Sequence, residues 1–343
     1  IRLRLTGEFV GDVSDMSGTL MLDQRRRDWS PDIISAFQID RDILPPVVES
    51  HQVTGRVSAA AAAQTGLAAG TPVVGGAGDQ AAGAVGNGIV ASGLCSATLG
   101  TSGVVFVHAP AYAPDPDGRI NTFCAAVDGE YCMFGCMLSA GGSFQWFRNV
   151  LAADEVRQAK RRKVDPYELL TELAASAPAG CEGLFWLPYL TGERTPHADP
   201  QARACWIGIH SRTTRAELAR AVLEGATFAM NDAVTLLGES GQKVREIRLS
   251  GGGARSELWR QLQADIYGRT CTTINAAEGP AYGAAILAAV GAGHYSSLRQ
   301  ACRAVISVTR TIKPRAAARK LYARHYDVYR SLYPALKESF GRI

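Results

Sequence analysis

The chain has 343 residues, a length that fits one large domain or two ordinary ones. Hydrophobic residues make up 47% and charged residues 20%, enough to bury a core, which excludes bulk disorder. The net charge is +4 and no basic stripe is interleaved with aromatics, which argues against nucleic acid as a partner.

Taken in chain order, Asp15-Met16-Ser17-Gly18-Thr19 reads as a turn into a short strand, Leu20–Leu22. Ser30 before Pro31 predicts a helix running through Ile39, with Ser30 as N-cap and proline at the first helical position. Pro45-Pro46 breaks the chain. Val57–Thr65 is Ala-rich and helical, and Gly66 ends it. Thr71–Gly75 is a short buried strand, Gly76–Asp79 its exit loop, and Gln80–Val85 the helix that follows. Leu94–Leu99 and Val104–His108 flank Gly100-Thr101-Ser102-Gly103 as a tight hairpin. Gly141-Gly142 opens a helix that carries Phe144, Trp146 and Phe147. Leu184–Leu190 is apolar, and a loop then runs to about Arg203. Arg215–Leu237 is a long amphipathic helix. Val244–Leu249 is a strand, Ser250–Arg255 a glycine loop and Ser256–Tyr267 a helix. Ala281–Val290 is a small-residue helix, and an amphipathic helix with Tyr322, Tyr326 and Tyr329 runs from Ala316.

Strands alternating with helices predict an α/β protein in two parts, residues 1–92 and 93–343. The basic runs Arg157–Lys163 and Lys313–Lys320 read as solvated helix faces. Eight cysteines lack CxxC spacing, and Cys132 and Cys136 have no histidine motif beside them. This reads as reduced, mostly buried thiols in a cytoplasmic protein, with no metal site. The uncharged stretch Gln80–Pro114 is broken by Gly, Ser and Thr, so it reads as buried strands and not as a membrane span. No signal-peptide pattern is visible.

Three glycine loops follow strands, the pattern that exposes backbone amides to phosphate. Gly100–Gly103 adds the hydroxyls of Thr101 and Ser102, although an ordinary hairpin would look the same. Gly251-Gly252-Gly253-Ala254 fits neither GxGxxG, since Ser256 stands at the third glycine position, nor GxxxxGK[ST]. Three consecutive glycines still suggest a flat ligand lying against backbone. The third loop holds Asp79, the lone Asp, Glu, Lys or Arg between Arg56 and Asp115. Asp79 reads equally as a helix N-cap or as a carboxylate at a strand end that takes a proton from a substrate hydroxyl. In Glu193-Arg194-Thr195-Pro196-His197, His197 is a candidate general base. With no GxSxG nearby, a loop that shapes or closes a cleft is the preferred reading.

Six segments taken together resemble the FGGY carbohydrate kinases, most closely their xylulokinase branch. They are DMSGTLMLDQRRRDWS, GGAGDQAAGAVGNG, LGTSGVVF, LPYLTGERTPHADPQAR, SGGGARSELWRQLQADIYG and EGPAYGAAILAAVG, in family order across nearly the whole chain. The resemblance implies an actin/hexokinase-like (ribonuclease H-like) two-domain fold with an inter-domain cleft, sugar mainly on the first domain and ATP mainly on the second. It implies Asp79 as catalytic base, with Asp79 and Gln80 at the sugar. It implies Gly100, Thr101, Ser102 and Gly103 as a phosphate loop. Gly251, Gly252, Gly253, Ala254 and Ser256 would lie at adenosine, with Glu278-Gly279-Pro280-Ala281 leading into the helix behind. It also implies ATP and Mg²⁺, no metal ligand being assigned in this chain. Homodimer formation is left open. One departure stands out: Asp15–Thr19 is one residue too long for the family's DxGT loop, and that loop is expected before Ile1. The chain is therefore expected to be a truncated member, its activity alone in question.

Overall fold

The computed structural model describes residues 1–276 and 279–343. Ala277 and Glu278 lie outside the described residues, so the expectation for Glu278 is carried only by the sequence. The principal elements are α1 (Asp79–Gly86), β1 (Gly93–Leu99), β2 (Gly103–Ala109), β3 (Asn121–Cys124), β4 (Tyr131–Met137) and α2 (Ala140–Leu151). They continue with α3 (Arg215–Glu239), β5 (Val244–Ser250), α4 (Glu257–Tyr267), β6 (Thr270–Ile274), α5 (Gly279–Gly291), α6 (Leu298–Val305), β7 (Val308–Ile312) and α7 (Ala316–Phe340).

The seven strands form one mixed sheet in the order β7-β6-β5-β1-β2-β4-β3. β5 runs parallel to β1 and β6, and the remaining pairs are antiparallel. Every residue of β2 is buried, because both sheet faces are covered. Alternation sends Val105, Val107 and Ala109 to one core and Val104 and Phe106 to the other. The first core is closed by α2, α3, α4 and α7, the second by α1, α5 and α6. α1 and α5 cross at very short range: a Cβ on Gly283 would stand 1.8 Å from the Ala82 carbonyl oxygen. No residue larger than glycine fits there unless the helices part.

Residues 1–78 are built from short pieces. Gly11–Asp12 pairs in parallel with Val47–Val48, Leu22–Asp23 with Asp28–Trp29, and Val53–Arg56 with Pro72–Val74. Asp15–Thr19 is not a simple turn: Asp12 caps a helix over Val13–Ser17 by accepting from the Ser14 and Asp15 amides. The strand after it falls at Leu22–Asp23, later than expected. Ser30 caps its helix as expected, but that helix ends at Ala36.

α3 is the long helix expected from the sequence, but no polar face of it is left to solvent over most of its length. It is buried nearly all round, because α2, α4 and the helix Pro166–Ala175 pack on it from several sides. Its polar residues are thereby sealed in. Asp232 is buried and accepts the Tyr326 hydroxyl of α7 at 2.6 Å. Burial raises its carboxyl to about 7 and that of Glu193 to about 8. Both favour the protonated form once folded. The stability they confer is therefore complete below about pH 4 and is lost as pH rises through about 7 and about 8. Asp232→Asn keeps an acceptor for Tyr326 and removes one titration. We expect the variant to gain melting temperature relative to wild type as pH goes from about 5 to 8, with a flatter profile. Parallel melting curves over that range would refute the assignment.

Candidate active site

Asp79 stands in the first turn of α1. The N-cap is Gly78, so Asp79 is not the cap that one reading of the sequence proposed. The Asp79 side chain is exposed and accepts the Gln80 amide at 2.7 Å and the Gln80 side-chain amide at 3.4 Å. The loop before it is fixed by a residue that sequence reasoning missed. Buried Asp12 accepts the hydroxyls of Ser14 (2.6 Å) and Ser50 (2.9 Å), and Ser14 Oγ in turn accepts the Gly78 amide at 3.1 Å. The signal available was the capping pattern Asp12-Val13-Ser14-Asp15.

The hairpin Gly100–Gly103 joins β1 to β2 as expected. Its Gly100 and Thr101 carbonyls accept the amides of Gly141 and Gly142 at the start of α2, each at 2.9 Å. Among the described residues the Thr101 and Ser102 amides donate to no backbone acceptor, and both residues are exposed. Gly103 is not: it is buried against Ala140, where a Cβ would stand 2.9 Å from the Ala140 Cβ.

Gly251 follows β5 with φ +77, and its Cβ would stand 2.6 Å from the Leu99 carbonyl oxygen. The loop then makes a short 3₁₀ turn, Gly252–Ala254, held by Arg260, which donates to the Ala254 and Arg255 carbonyls at 2.7 and 2.9 Å. Ser256 caps α4, its hydroxyl accepting the Trp259 amide. Gly251→Ala combines a left-handed backbone with a main-chain clash. We expect it to cost about 1–3 kcal/mol, read as a lowered urea midpoint; an unchanged midpoint would show that the loop moves aside freely.

Two cavities adjoin at this loop. The first, of about 680 Å³, is bounded by Gly100, Thr101, Gly252, Gly253 and Ser256 and walled by Phe144, Tyr167, Trp259 and Arg148. Arg148 lies over the Tyr167 ring at 5.0 Å. The second, of about 510 Å³, is bounded by Asp79, Gln80, Thr98, Ser250, Gly251, Gly252, Ala254 and three arginines, Arg255, Arg260 and Arg310. Gly252 and Arg255 belong to both. The structure thus brings the candidate carboxylate, the hairpin and the glycine loop to one region. Ser102, at the hairpin tip, and Gly103 line neither cavity. Tyr167 and Arg148 were not foreseen, since their place in the slot comes from tertiary packing alone.

His197 lines neither cavity. It stacks on Tyr333 at 3.5 Å and bonds to the Tyr189 hydroxyl at 3.1 Å, and burial pushes its imidazole down to about 4. It anchors α7 and is not placed as a base. The eight cysteines are free and six are buried. Among the described residues no three His, Cys, Asp or Glu gather as metal ligands, and no helix is long and apolar enough to cross a membrane.

Residues 1–86 match the sequence model of the FGGY carbohydrate kinase N-terminal domain, and residues 95–292 that of the C-terminal domain. The chain is 36% identical over 338 residues to the xylulose kinase of Bacillus subtilis, covering 98% of this chain and 66% of that protein. The solved xylulose kinase of Rhodospirillum rubrum superposes with a TM-score of 0.89 at 32% identity, over 99% of this chain and 67% of that one. The gluconate kinase of Lactobacillus acidophilus gives 0.91 at 27% identity over the same shares, 99% and 67%. The chain therefore spans about two thirds (66%) of the B. subtilis relative. The fold is the actin/hexokinase-like α/β fold, and the chain belongs to the FGGY family of carbohydrate kinases.

Proposed function

We propose that the chain is a xylulokinase-like phosphotransferase, moving the γ-phosphate of ATP to a hydroxyl of D-xylulose to give D-xylulose 5-phosphate. One observation carries the reading: the cavity of Asp79 and the aromatic-walled slot adjoin at Gly252 and Arg255, so acceptor and donor would meet at one glycine loop. Adenine would enter between Phe144, Tyr167 and Trp259. The ribose and phosphates would run along Gly251–Ala254 toward Gly100 and Thr101 of the hairpin, which line the same cavity. Asp79 would take the proton of the sugar hydroxyl as that oxygen attacks phosphorus. Such transfers depend on positioning and charge neutralisation. Magnesium ions commonly bind one or two carboxylates together with substrate phosphates, but Asp79, the one carboxylate among the described residues lining its cavity, is taken up as the base, so no magnesium ligand is assigned in this chain. When bound, the ion neutralises phosphate charge. The reading places the sugar-binding part in residues 1–92 and the nucleotide-binding part in 93–343, supported by matched segments that end at 86 and resume at 95.

The acceptor is the finer part of the proposal. The gluconate kinase of L. acidophilus superposes as well as the xylulose kinase does, which favours a polyhydroxy acid as the second acceptor reading. ADP release with Mg-ATP should be measured against D-xylulose, D-ribulose, D-gluconate and glycerol. Stimulation greatest with D-xylulose supports the reading. Greatest with gluconate, it moves the chain to the second one. Nucleotide binding without stimulation by any acceptor would leave a non-catalytic nucleotide-binding chain.

A further inference from the structure

Asp79 is placed by its backbone. Among the described residues its exposed carboxylate bonds only with Gln80, its neighbour in α1. Its direction therefore depends on the loop Gly75–Gly78 that leads into α1. The Gly75 amide donates to the Gln52 carbonyl at 2.8 Å and the Gly76 amide to the Ser50 carbonyl at 2.9 Å. The Gly78 amide, the last before Asp79, donates to Ser14 Oγ at 3.1 Å. A Cβ on Gly78 would stand 3.2 Å from Asp15 Oδ1, so the loop lies directly against the helix Val13–Ser17.

One buried carboxylate organises these tethers. Asp12, 3% exposed, accepts the Ser14 and Asp15 amides at 2.9 and 3.2 Å and the Ser14 and Ser50 hydroxyls at 2.6 and 2.9 Å. A serine hydroxyl has one proton and two lone pairs. Ser14 directs its proton at Asp12, which leaves the lone pairs of Oγ to the Gly78 amide. Ser50 meets Asp12 through its hydroxyl and Gly76 through its carbonyl. The helix is fixed at its other end as well, where Ser17 Oγ accepts the Cys124 amide of β3 at 3.1 Å. Asp12, Ser14, Ser17 and Ser50 are all buried and line neither cavity, so an effect of theirs on the chemistry has to pass through Asp79.

We propose that Ser14, locked in place by Asp12, is a positioning residue for the base Asp79. By holding the Gly78 amide it sets the first turn of α1, from which the Asp79 carboxylate meets the acceptor hydroxyl. This rests on the kinase reading above. A general base has to lie within hydrogen-bond reach of the proton it takes, and Asp79 has no side-chain partner outside α1 among the described residues to hold it there.

The test uses the full chain with Ser14→Ala, Asp79→Asn and the double variant. Ser14→Ala removes one oxygen, and the Ser14 and Asp15 amides still cap the helix on Asp12, so the variant should fold. Its kcat with D-xylulose should fall about 10- to 100-fold, the scale of a misplacement of about 1 Å, with the KM for ATP near wild type. In the Asp79→Asn background the same change should lower the residual kcat less than about 2-fold, since residues that act as a unit are not additive. A residue that only supports the fold would lower turnover equally in both backgrounds, and that result overturns the proposal. So does an unchanged kcat, or a Ser14→Ala chain that does not fold. If Asp79→Asn turns over like wild type, Asp79 is not the base and the proposal fails with it. If wild type shows no turnover with any acceptor, the kinase reading fails, and amide hydrogen exchange decides this one. Faster exchange in Ser14→Ala confined to Gly75–Gln80 retains Ser14 as the residue that places Asp79; exchange unchanged, or raised throughout the chain, overturns it.

Discussion

Asp79→Asn is expected to lower sugar-dependent ADP release by about 10²- to 10⁴-fold, the range contributed by a positioned general base. Asparagine keeps an oxygen for the Gln80 amide, so the local hydrogen bond survives and basicity alone is lost. Stability should barely change. Asp79 is exposed and Gly78 occupies the cap position, so the roughly 0.5–2 kcal/mol of a lost cap is not at stake. What remains is the favourable placement of a carboxylate in the first turn, about 0.3–1 kcal/mol. The outcomes separate cleanly. A fall in sugar-stimulated release with nucleotide affinity intact supports the base. Equal loss of nucleotide affinity would place Asp79 at the donor instead. Unchanged turnover would remove it from the mechanism.

That prediction could be framed from sequence because Asp79 is isolated in a long neutral run, and a lone charge is visible in one dimension. The hairpin Gly100–Gly103 and the loop Gly251–Ala254 were legible for a related reason: local backbone chemistry fixes both. The rest of the site is tertiary. Tyr167 reaches the slot because the helix Pro166–Ala175 packs against α3, and no periodicity announces that. Asp12 reads as one acid among many until Ser14, Ser50 and the Gly78 amide converge on it. The family resemblance tied the glycine loops and Asp79 to one cleft, which spacing alone did not. The misreading of α3 is instructive in the opposite way. Arg220, Glu224 and Asp232 mimic a wet face, yet all three are buried: Arg220 and Glu224 partner each other and Tyr322, and Asp232 partners Tyr326 of α7. Sequence pattern distinguishes polar from apolar; it does not distinguish solvated from mutually satisfied.

Glu224→Ala tests how much that sealed network contributes, and we expect it to cost about 3–5 kcal/mol. Glu224 Oε1 accepts from Arg220 at 2.7 Å, from the Tyr322 hydroxyl at 2.6 Å and from the Gly180 amide at 3.1 Å. It therefore ties α3 to α7 and to the loop before Phe185. Among the described residues, removing it leaves a buried guanidinium with the Ala177 carbonyl and the Tyr322 hydroxyl as its remaining partners, and it takes away the acceptor of the Gly180 amide. The large term is the uncompensated charge, not the lost contact, because burying an unpaired ion costs more than an ion pair contributes. A second variant isolates that term. Arg220→Met with Glu224→Met fills similar volume and buries no charge, so it should be markedly less destabilised than Glu224→Ala. Urea unfolding measures both. If the double variant is as unstable as the single one, the loss arises from packing and hydrogen bonds to Tyr322 and Gly180. If Glu224→Ala is near wild type, water reaches Arg220, and α7 is less tightly docked on α3 than the structure places it.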